Sequence, residues 1–283
     1  LGDMYIMAEC GVCFHRCKLS EGQVGLCLAR RCEGDRVICD NYGKLTGLAL
    51  DPIEKKPLYH FHPGSRILSV GSYGCNLRCP FCQNSDISYS DNVMNIQTRF
   101  VSPQKLAELA DRERINGNIG VAFTYNEPMV GYEYVRDAAK EVKQRGMAMV
   151  LVTNGTATPE AEDEIIPYID AMNVDLKAFS DTFYSDLIKG DRRMVMDFIE
   201  RAVDRGCHVE VTTLIIPGEN DSEEEMAELS GYLSGIDKDI VLHITRFFPR
   251  FNMTDRAPTP VEKVLSLCDV ARQRLKNVYP GNI

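Results

Sequence analysis

Three cysteines, Cys75, Cys79 and Cys82, fall within eight residues in the order C-x3-C-x2-C, with Phe81 just before the third. Thiolates at this spacing can hold three irons of a cubane iron–sulfur cluster. A ferredoxin-type cluster takes a fourth cysteine, and none follows until Cys207. One iron is then left open to a substrate or cofactor. Zinc is an alternative, but structural zinc sites usually pair C-x2-4-C knuckles and take four ligands. The triplet alone does not supply them. Buried core cysteines are the third reading.

A second set lies upstream. Cys10, Cys13, Cys17 and Cys27 follow C-x2-C-x3-C-x9-C, with Cys32 and Cys39 beyond. Four thiolates so close suit zinc or a second iron–sulfur cluster, and spacing does not separate the two. His15 lies inside the knuckle and could replace one thiolate, as could Cys32. Reduced, partly buried cysteines are the plain alternative. The density of cysteines favours a metal, and a region poor in apolar runs would gain stability from one. Cys207 and Cys268 stand alone and read as buried spectator thiols.

Composition narrows the function. The 283 residues suffice for one large α/β domain, or a medium domain with an appendage. Hydrophobic residues at 44% can fill a sizeable core. A net charge of −9 argues against a general nucleic-acid binder, which needs a basic footprint. The short basic pairs Arg30-Arg31, Lys55-Lys56 and Arg192-Arg193 read as solvated surface. An odd count of 11 clustered cysteines fits thiols used for metals in a reducing cytoplasm rather than a disulfide scaffold. No apolar run approaches the ~20 residues that span a bilayer, and no signal peptide is visible. The expected location is the cytoplasm. The chain opens on Leu1, so its natural start is expected upstream.

The elements that must position these residues fall into two parts. Residues 1–60 are rich in Cys and Gly and poor in periodic segments, with short strands expected at Arg36–Cys39 and Lys44–Leu50. The link Asp51–Pro57 carries two prolines that disfavour regular structure. Residues 61–283 alternate. Strands are expected at Arg66–Ser72, Ile119–Thr124, Met147–Thr153, Ala171–Leu176, His208–Ile216 and Ile240–Phe247. Helices are expected from Ser102-Pro103 to about Asn116, and over Tyr132–Arg145, Glu160–Tyr168, Arg192–Arg205, Ser222–Leu233 and Val261–Leu275. Ser102 and Pro103 suit an N-cap and first turn, and Gly146 and Gly206 suit C-terminal stops. Six strand–helix units imply a parallel sheet with helices outside and right-handed crossovers. The predicted fold is α/β, a partial (β/α)6 TIM-like barrel with a small N-terminal Cys-rich domain. A doubly wound open sheet is the alternative, but the cysteine motif stands where a G-x-G-x-x-G would.

Parallel barrels place functional residues at the C-terminal ends of strands. Thr124-Tyr125-Asn126-Glu127-Pro128 offers a carboxylate there, and Thr153-Asn154-Gly155 a hydroxyl, an amide and exposed backbone. Asp175 and Lys177 share one face by the period of 2 and can meet a zwitterionic ligand. Thr212, Thr213, His243, Thr245 and Arg246 follow on the next strands. Taken singly, such residues are more often surface ion pairs; their recurrence at successive strand ends marks a site. His60 and His62, just before the first barrel strand, are weaker candidates for the pocket lining.

With these residues in view, the chain resembles radical S-adenosylmethionine (SAM) enzymes of the group containing the glycyl-radical-enzyme (pyruvate formate-lyase) activating enzymes. It is closer still to the radical SAM member of the AmmeMemoRadiSam system. The cluster triplet, Tyr125–Pro128, Thr153–Gly155, Asp175–Lys177 and Arg246–Pro249 carry the wider match, the run Ala49–Ser65 is similar to the subfamily's segment ahead of the cluster, and within it Asp51–Ser65 selects the subfamily. The resemblance implies a 4Fe-4S cluster on Cys75, Cys79 and Cys82, with SAM chelating the open iron. It implies that Phe81 leans on the adenine and that Asn126 and Glu127 meet the SAM amino group. Asn154, Asp175 and Lys177 would hold the carboxylate and ribose region. Its partners would be SAM, a reductant such as ferredoxin or flavodoxin, and a protein or small-molecule substrate.

The sequence also departs from that group. Val152 replaces an acidic residue that helps bind a monovalent cation in formate-lyase activases, and Thr212 stands where a related strand carries a SAM-facing arginine. The extra cysteines precede the main motif rather than follow it. The favoured function is reductive cleavage of SAM to a 5′-deoxyadenosyl radical that abstracts hydrogen. The alternative is a non-catalytic iron–sulfur or zinc protein acting in electron transfer.

Overall fold

The computed structural model describes residues 7–89 and 95–283. One eight-stranded sheet organises the chain. β1 (Gly47–Pro52) runs antiparallel to β2 (Arg66–Gly71). From β2 the strands are parallel: β3 (Asn118–Phe123), β4 (Ala148–Thr153), β5 (Ala171–Asp175), β6 (His208–Ile215), β7 (Val241–Arg246) and β8 (Asn277–Gly281). Their order in space is their order in the chain. A doubly wound sheet reverses its order at a switch point; this one never does, so it winds one way as a partial (β/α)6 barrel.

The crossovers are α1 (Pro103–Arg112), α2 (Tyr132–Gln144), α3 (Pro159–Asp163), α4 (Arg192–Asp204), α5 (Glu223–Ile236) and α6 (Val261–Arg272). Ser102, Thr158, Asp191 and Ser222 each cap a helix by accepting a main-chain N–H of its first turn. Gly117, Gly146 and Gly206 follow helices at positive φ. The buried stripe Val195, Phe198, Ile199 and Ala202 of α4 has helical spacing, and Val135, Ala138, Ala139 and Val142 do the same on α2. These stripes share a core with Met149, Leu151, Met172, Val174 and Val211 of the strands. Burying each large side chain contributes about 1.5–3 kcal/mol. Among the described residues no helix is long and apolar enough to cross a membrane.

Several elements differ from expectation. The expected helix over Glu160–Tyr168 stops at Asp163, and Ile166–Tyr168 is a 3-10 turn around Pro167, which cannot continue an α-helix. The helix expected to reach Asn116 tightens to 3-10 geometry after Arg112. β8 was not expected. The composition break read at residue 60 falls inside the barrel: β1 joins the main sheet, and the chain after it plugs the barrel floor. Asn173 Nδ2 of β5 donates to the Pro57 carbonyl at 2.9 Å. Glu210 of β6 accepts the N–H groups of Tyr59 and His60 at 2.9 and 2.8 Å. His60 also meets the Tyr279 hydroxyl of β8 at 2.8 Å, linking the plug to the last strand. His60 and His62 are thus exposed at the floor and do not line the main cavity.

The Cys-rich segment stands outside the sheet as small antiparallel ribbons, Ala8–Glu9 with Lys18–Leu19 and Arg30–Glu33 with Arg36–Cys39. Two basic pairs read as solvated surface each bury one member: Arg30 is 5% and Lys56 3% exposed. Both carry an acidic partner, Glu133 and Asp51.

Candidate active site

The loop leaving β2 carries Cys75, Cys79 and Cys82, all of which line one cavity of about 830 Å³ at the C-terminal ends of the strands. Gly74 opens the loop at φ +94°; a Cβ there would stand 2.4 Å from the Cys27 carbonyl oxygen. Its N–H donates to the Ile87 carbonyl, and its own carbonyl accepts the Glu127 N–H. Asn126 clamps the same turn. Its Oδ1 accepts the Ser72 N–H, and its Nδ2 donates to the carbonyls of Tyr73 and Gly74. Asn76 donates to the Thr156 carbonyl and accepts from Asn154. Asn154 also points Nδ2 at the Cys75 sulfur, 3.8 Å away. The Tyr89 hydroxyl accepts the Cys79 N–H at 3.1 Å.

This donor set fits a cluster of soft metal: three thiols face one cavity. Among the described residues no three His, Cys, Asp or Glu side chains stand close enough to grip a single ion. Burial raises the Cys75 thiol well above its ordinary value and pushes Cys79 up to about 11.

Glu127 is buried at the end of β3. One oxygen accepts Met129 N–H and Thr153 Oγ1–H at 2.9 and 2.7 Å; the other accepts Asn154 N–H at 2.7 Å. Burial outweighs these donors and raises the carboxyl to about 7. A carboxylate has about four acceptor positions, so one remains for a cationic ligand. At the end of β5, Lys177 Nζ donates to Asp175 Oδ2 at 2.9 Å. Burial alone would lower the lysine, but Asp175 overcomes it and holds Lys177 charged well above its ordinary value. Phe81 is 7% exposed, lines the cavity and packs on Phe183. The structure gathers at one cavity the nine residues that the resemblance assigns to the cluster and SAM, together with Thr212, Thr245 and Arg246; Thr213 and His243, also named at strand ends, do not line it, because Thr213 donates to the Leu176 carbonyl and His243 meets Glu210 at the barrel floor. Within the cavity, the Asn126 and Asn154 side chains are engaged mainly in bracing the loop.

Val152 and Thr212 also line the cavity, and Thr212 donates to Asn173. Lys56 and Tyr89 also line the cavity and were not read from the sequence as site residues. Tyr125, at φ +74°, sends its hydroxyl to Asp51, which also binds Lys56 and Ser69. Lys56 lies over the Tyr125 ring, 4.9 Å from its centre. Near the mouth, Tyr89 stacks on Phe251, and Arg246 lies over Phe248. Tyr125 and Asp51, Lys56 and Tyr125, and Tyr89 and Phe251 are far apart in the chain, so no local spacing announces these contacts.

Cys10, Cys13, Cys17 and Cys27 line a second, small space with His15, Gly25 and Arg30. Cys32 and Cys39 do not line it. Cys32 packs with Ala8 and Leu19, and the Cys39 thiol donates to Asn41.

A family model described as the radical SAM superfamily matches residues 69–230. An uncharacterized protein of Methanocaldococcus jannaschii is 36% identical over 277 residues, covering 97% of this chain and 81% of that protein. The pyruvate formate-lyase-activating enzyme of Clostridium pasteurianum is 26% identical over 62% of this chain and 71% of its own. Among solved structures, a domain of pyruvate-formate lyase-activating enzyme from Bacteroides vulgatus superposes with a TM-score of 0.51 at 20% identity, over 58% of this chain and 99% of that one. Streptococcus suis SuiB bound to S-adenosylmethionine gives 0.57 at 15% identity, over 75% and 48%. These two likenesses concern the fold.

Proposed function

The chain belongs to the radical SAM superfamily, and we propose that it acts there as an activating-enzyme-like oxidoreductase on a protein or small-molecule substrate. The observation that carries the reading is the meeting of Cys75, Cys79 and Cys82 with the Asp175–Lys177 pair in one cavity. Cys75, Cys79 and Cys82 would hold a 4Fe-4S cluster. Bound there and reduced by an external low-potential electron donor, the cluster would supply the one-electron chemistry of reductive SAM cleavage and hydrogen abstraction.

The chain's own residues bind, orient and exclude water. Glu127 offers its remaining acceptor position to the SAM ammonium group. Asp175 and Lys177 present opposite charges to the zwitterion and the ribose, and Phe81 gives the adenine an apolar face. Asn126 and Asn154 hold the cysteine loop and the turn after β4 in register. An electron carrier has no use for a cavity of about 830 Å³ beside its cluster, which disfavours that alternative.

The run Asp51–Ser65 supports the placement nearest the radical SAM member of the AmmeMemoRadiSam system. It supplies Lys56 to the cavity and the plug to the barrel floor. Relatives named as activating enzymes support a protein substrate. A reductant such as ferredoxin or flavodoxin, a cytoplasmic location, and a second metal at Cys10, Cys13, Cys17 and Cys27 complete the reading. Anaerobic reconstitution with iron, sulfide and a low-potential reductant, followed by chromatography for 5′-deoxyadenosine, tests it. The product is expected from the native chain and not from Cys79→Ala. A reconstituted, SAM-bound protein that releases none would overturn the proposal.

A further inference from the structure

The turn after β4 carries a side chain whose hydrogen-bonding groups are all spent inside the protein. Asn154 is 5% exposed. Its Oδ1 accepts the Thr156 N–H at 2.9 Å and the Thr156 hydroxyl. Its Nδ2 donates to Asn76 Oδ1 at 3.0 Å. Asn76 is fixed in turn, because its own Nδ2 donates to the Thr156 carbonyl at 2.9 Å. Main-chain groups cannot exchange donor for acceptor, so neither amide can be reversed. The other Nδ2 hydrogen of Asn154 is then left for the Cys75 sulfur, 3.8 Å away. Only glycine lets the turn settle here: Gly155 is at φ +68°, and a Cβ on it would press on Val174 and Val195 at 3.0 and 3.1 Å.

A side-chain amide has two donor hydrogens and two acceptor lone pairs. Asn154 uses all four, so none remains for the SAM carboxylate, the role that the resemblance implied. The Cys75 sulfur receives a second donor, since the Leu77 N–H also points at it, 3.5 Å away. Glu127 is tied to the same residue: its carboxylate accepts the Asn154 main-chain N–H at 2.7 Å. That carboxylate stands close enough to Cys75 for its charge to oppose a thiolate there. Donors aimed at a ligating sulfur act in the opposite direction. They stabilise the added negative charge of the reduced state, and hydrogen bonds to the sulfurs are among the levers that set a cluster's potential.

We propose that Asn154 is a positioning residue for the cluster: its amide hydrogen-bonds the Cys75 sulfur and raises the cluster's reduction potential, and it does not bind SAM. Together with the Leu77 N–H it offsets the Glu127 charge at this ligand. That the three cysteines hold a cluster rests on the function proposed above; the engagement of all four Asn154 groups does not.

The test is a redox titration of the reconstituted full chain, followed by electron paramagnetic resonance before SAM is added. It compares the native protein with Asn154→Asp, Asn154→Ala and Thr156→Val. Asn154→Asp keeps the shape and puts an anion where two donors stood. Asn154→Ala removes the donors without adding charge. Both keep the main-chain N–H on Glu127. Asn154→Ala should move the potential negative by roughly tenfold or more in the one-electron equilibrium, about 59 mV, and Asn154→Asp further. Thr156→Val removes a hydroxyl that braces the same amide but leaves Nδ2 facing the sulfur, so the potential should stay native. Equilibrium binding should find native SAM affinity in Asn154→Ala. If Asn154→Asp holds no cluster, Asn154→Ala decides. A native potential in the Asn154 variants, or an equal shift in Thr156→Val, overturns the tuning. Loss of the cluster from both Asn154 variants makes the residue purely structural and overturns it as well. Loss of SAM binding at native potential would make Asn154 a SAM ligand. A native chain that takes up no cluster overturns the proposed function and this inference together, whereas a loaded native chain that cleaves no SAM counts against the proposed function alone.

Discussion

Asn126 donates its Nδ2–H to the Gly74 carbonyl at 3.1 Å, one residue before the first cysteine of the cluster motif. The same amide reaches the Tyr73 carbonyl, and its oxygen accepts the Ser72 N–H. A residue at the end of β3 thus sets the exit of β2. Asn126→Asp keeps the shape and removes both donors, leaving an anion against carbonyl oxygens. The expected cost is about 1–3 kcal/mol of stability, with less iron retained after reconstitution. Thermal melts and iron analysis check this; native iron content in a folded variant would assign Asn126 no part in holding the loop.

Asp175→Asn separates charge from shape at the end of β5. Lys177 keeps a hydrogen-bonding neighbour but loses its counter-charge, and a zwitterionic ligand loses one of its two poles. A hydrogen bond to a charged group contributes about 1.5–3 kcal/mol, so SAM is expected to bind roughly 10- to 100-fold more weakly with iron content unchanged. Equilibrium binding of SAM to the reconstituted variant measures it. Unaltered affinity would make Asp175–Lys177 a structural ion pair.

What the sequence made legible was local. Three cysteines in eight residues and polar groups at successive strand ends needed only spacing and period, and the structure brings all of them except Thr213 and His243 to one cavity. What it hid depended on distant partners. Lys56 reads as half of a surface pair until Asp51 and the Tyr125 ring cover it. Asn76 is unremarkable until Thr156 and Asn154 meet it across the barrel. β8 escaped notice because Pro280 and Gly281 break a strand pattern. An edge strand tolerates proline, since its outward N–H needs no partner, and Pro52 ends the opposite edge in the same way.

Gly74→Ala tests how closely the amino-terminal ribbons press on the cluster loop. The added carbon would stand 2.4 Å from the Cys27 carbonyl oxygen and 2.9 Å from Ala29 Cβ, and φ +94° is a conformation L-residues avoid. The main chain must move, and the Cys27–Cys75 hydrogen bond with it. Iron retention and 5′-deoxyadenosine yield should both fall sharply, while Gly64→Ala, where a Cβ meets nothing at a similar positive φ, separates the strain of φ from the clash. Equal behaviour of the two variants would remove the clash as the cause.

The barrel floor gives a prediction in pH. Glu210 is fully buried and meets His243 and His208 at 2.7 and 3.0 Å, besides the N–H groups of Tyr59 and His60. Burial alone would raise its pKa, but the two histidines and the two main-chain donors together lower it to about 2. A carboxyl depressed in the folded state contributes stability above its unfolded value and loses it as pH falls through the folded one. The window therefore runs from about pH 4.5 down to about 2, and the contribution at neutral pH is on the order of 3 kcal/mol. Glu210→Gln keeps the volume but cannot ionise. Its stability, measured by denaturant unfolding at a series of pH values, should be lower than native near pH 6. The gap should narrow steadily below pH 4.5. A gap constant across that window would show that the plug is held by packing of Tyr59, Leu58 and Ile53 rather than by the Glu210 charge.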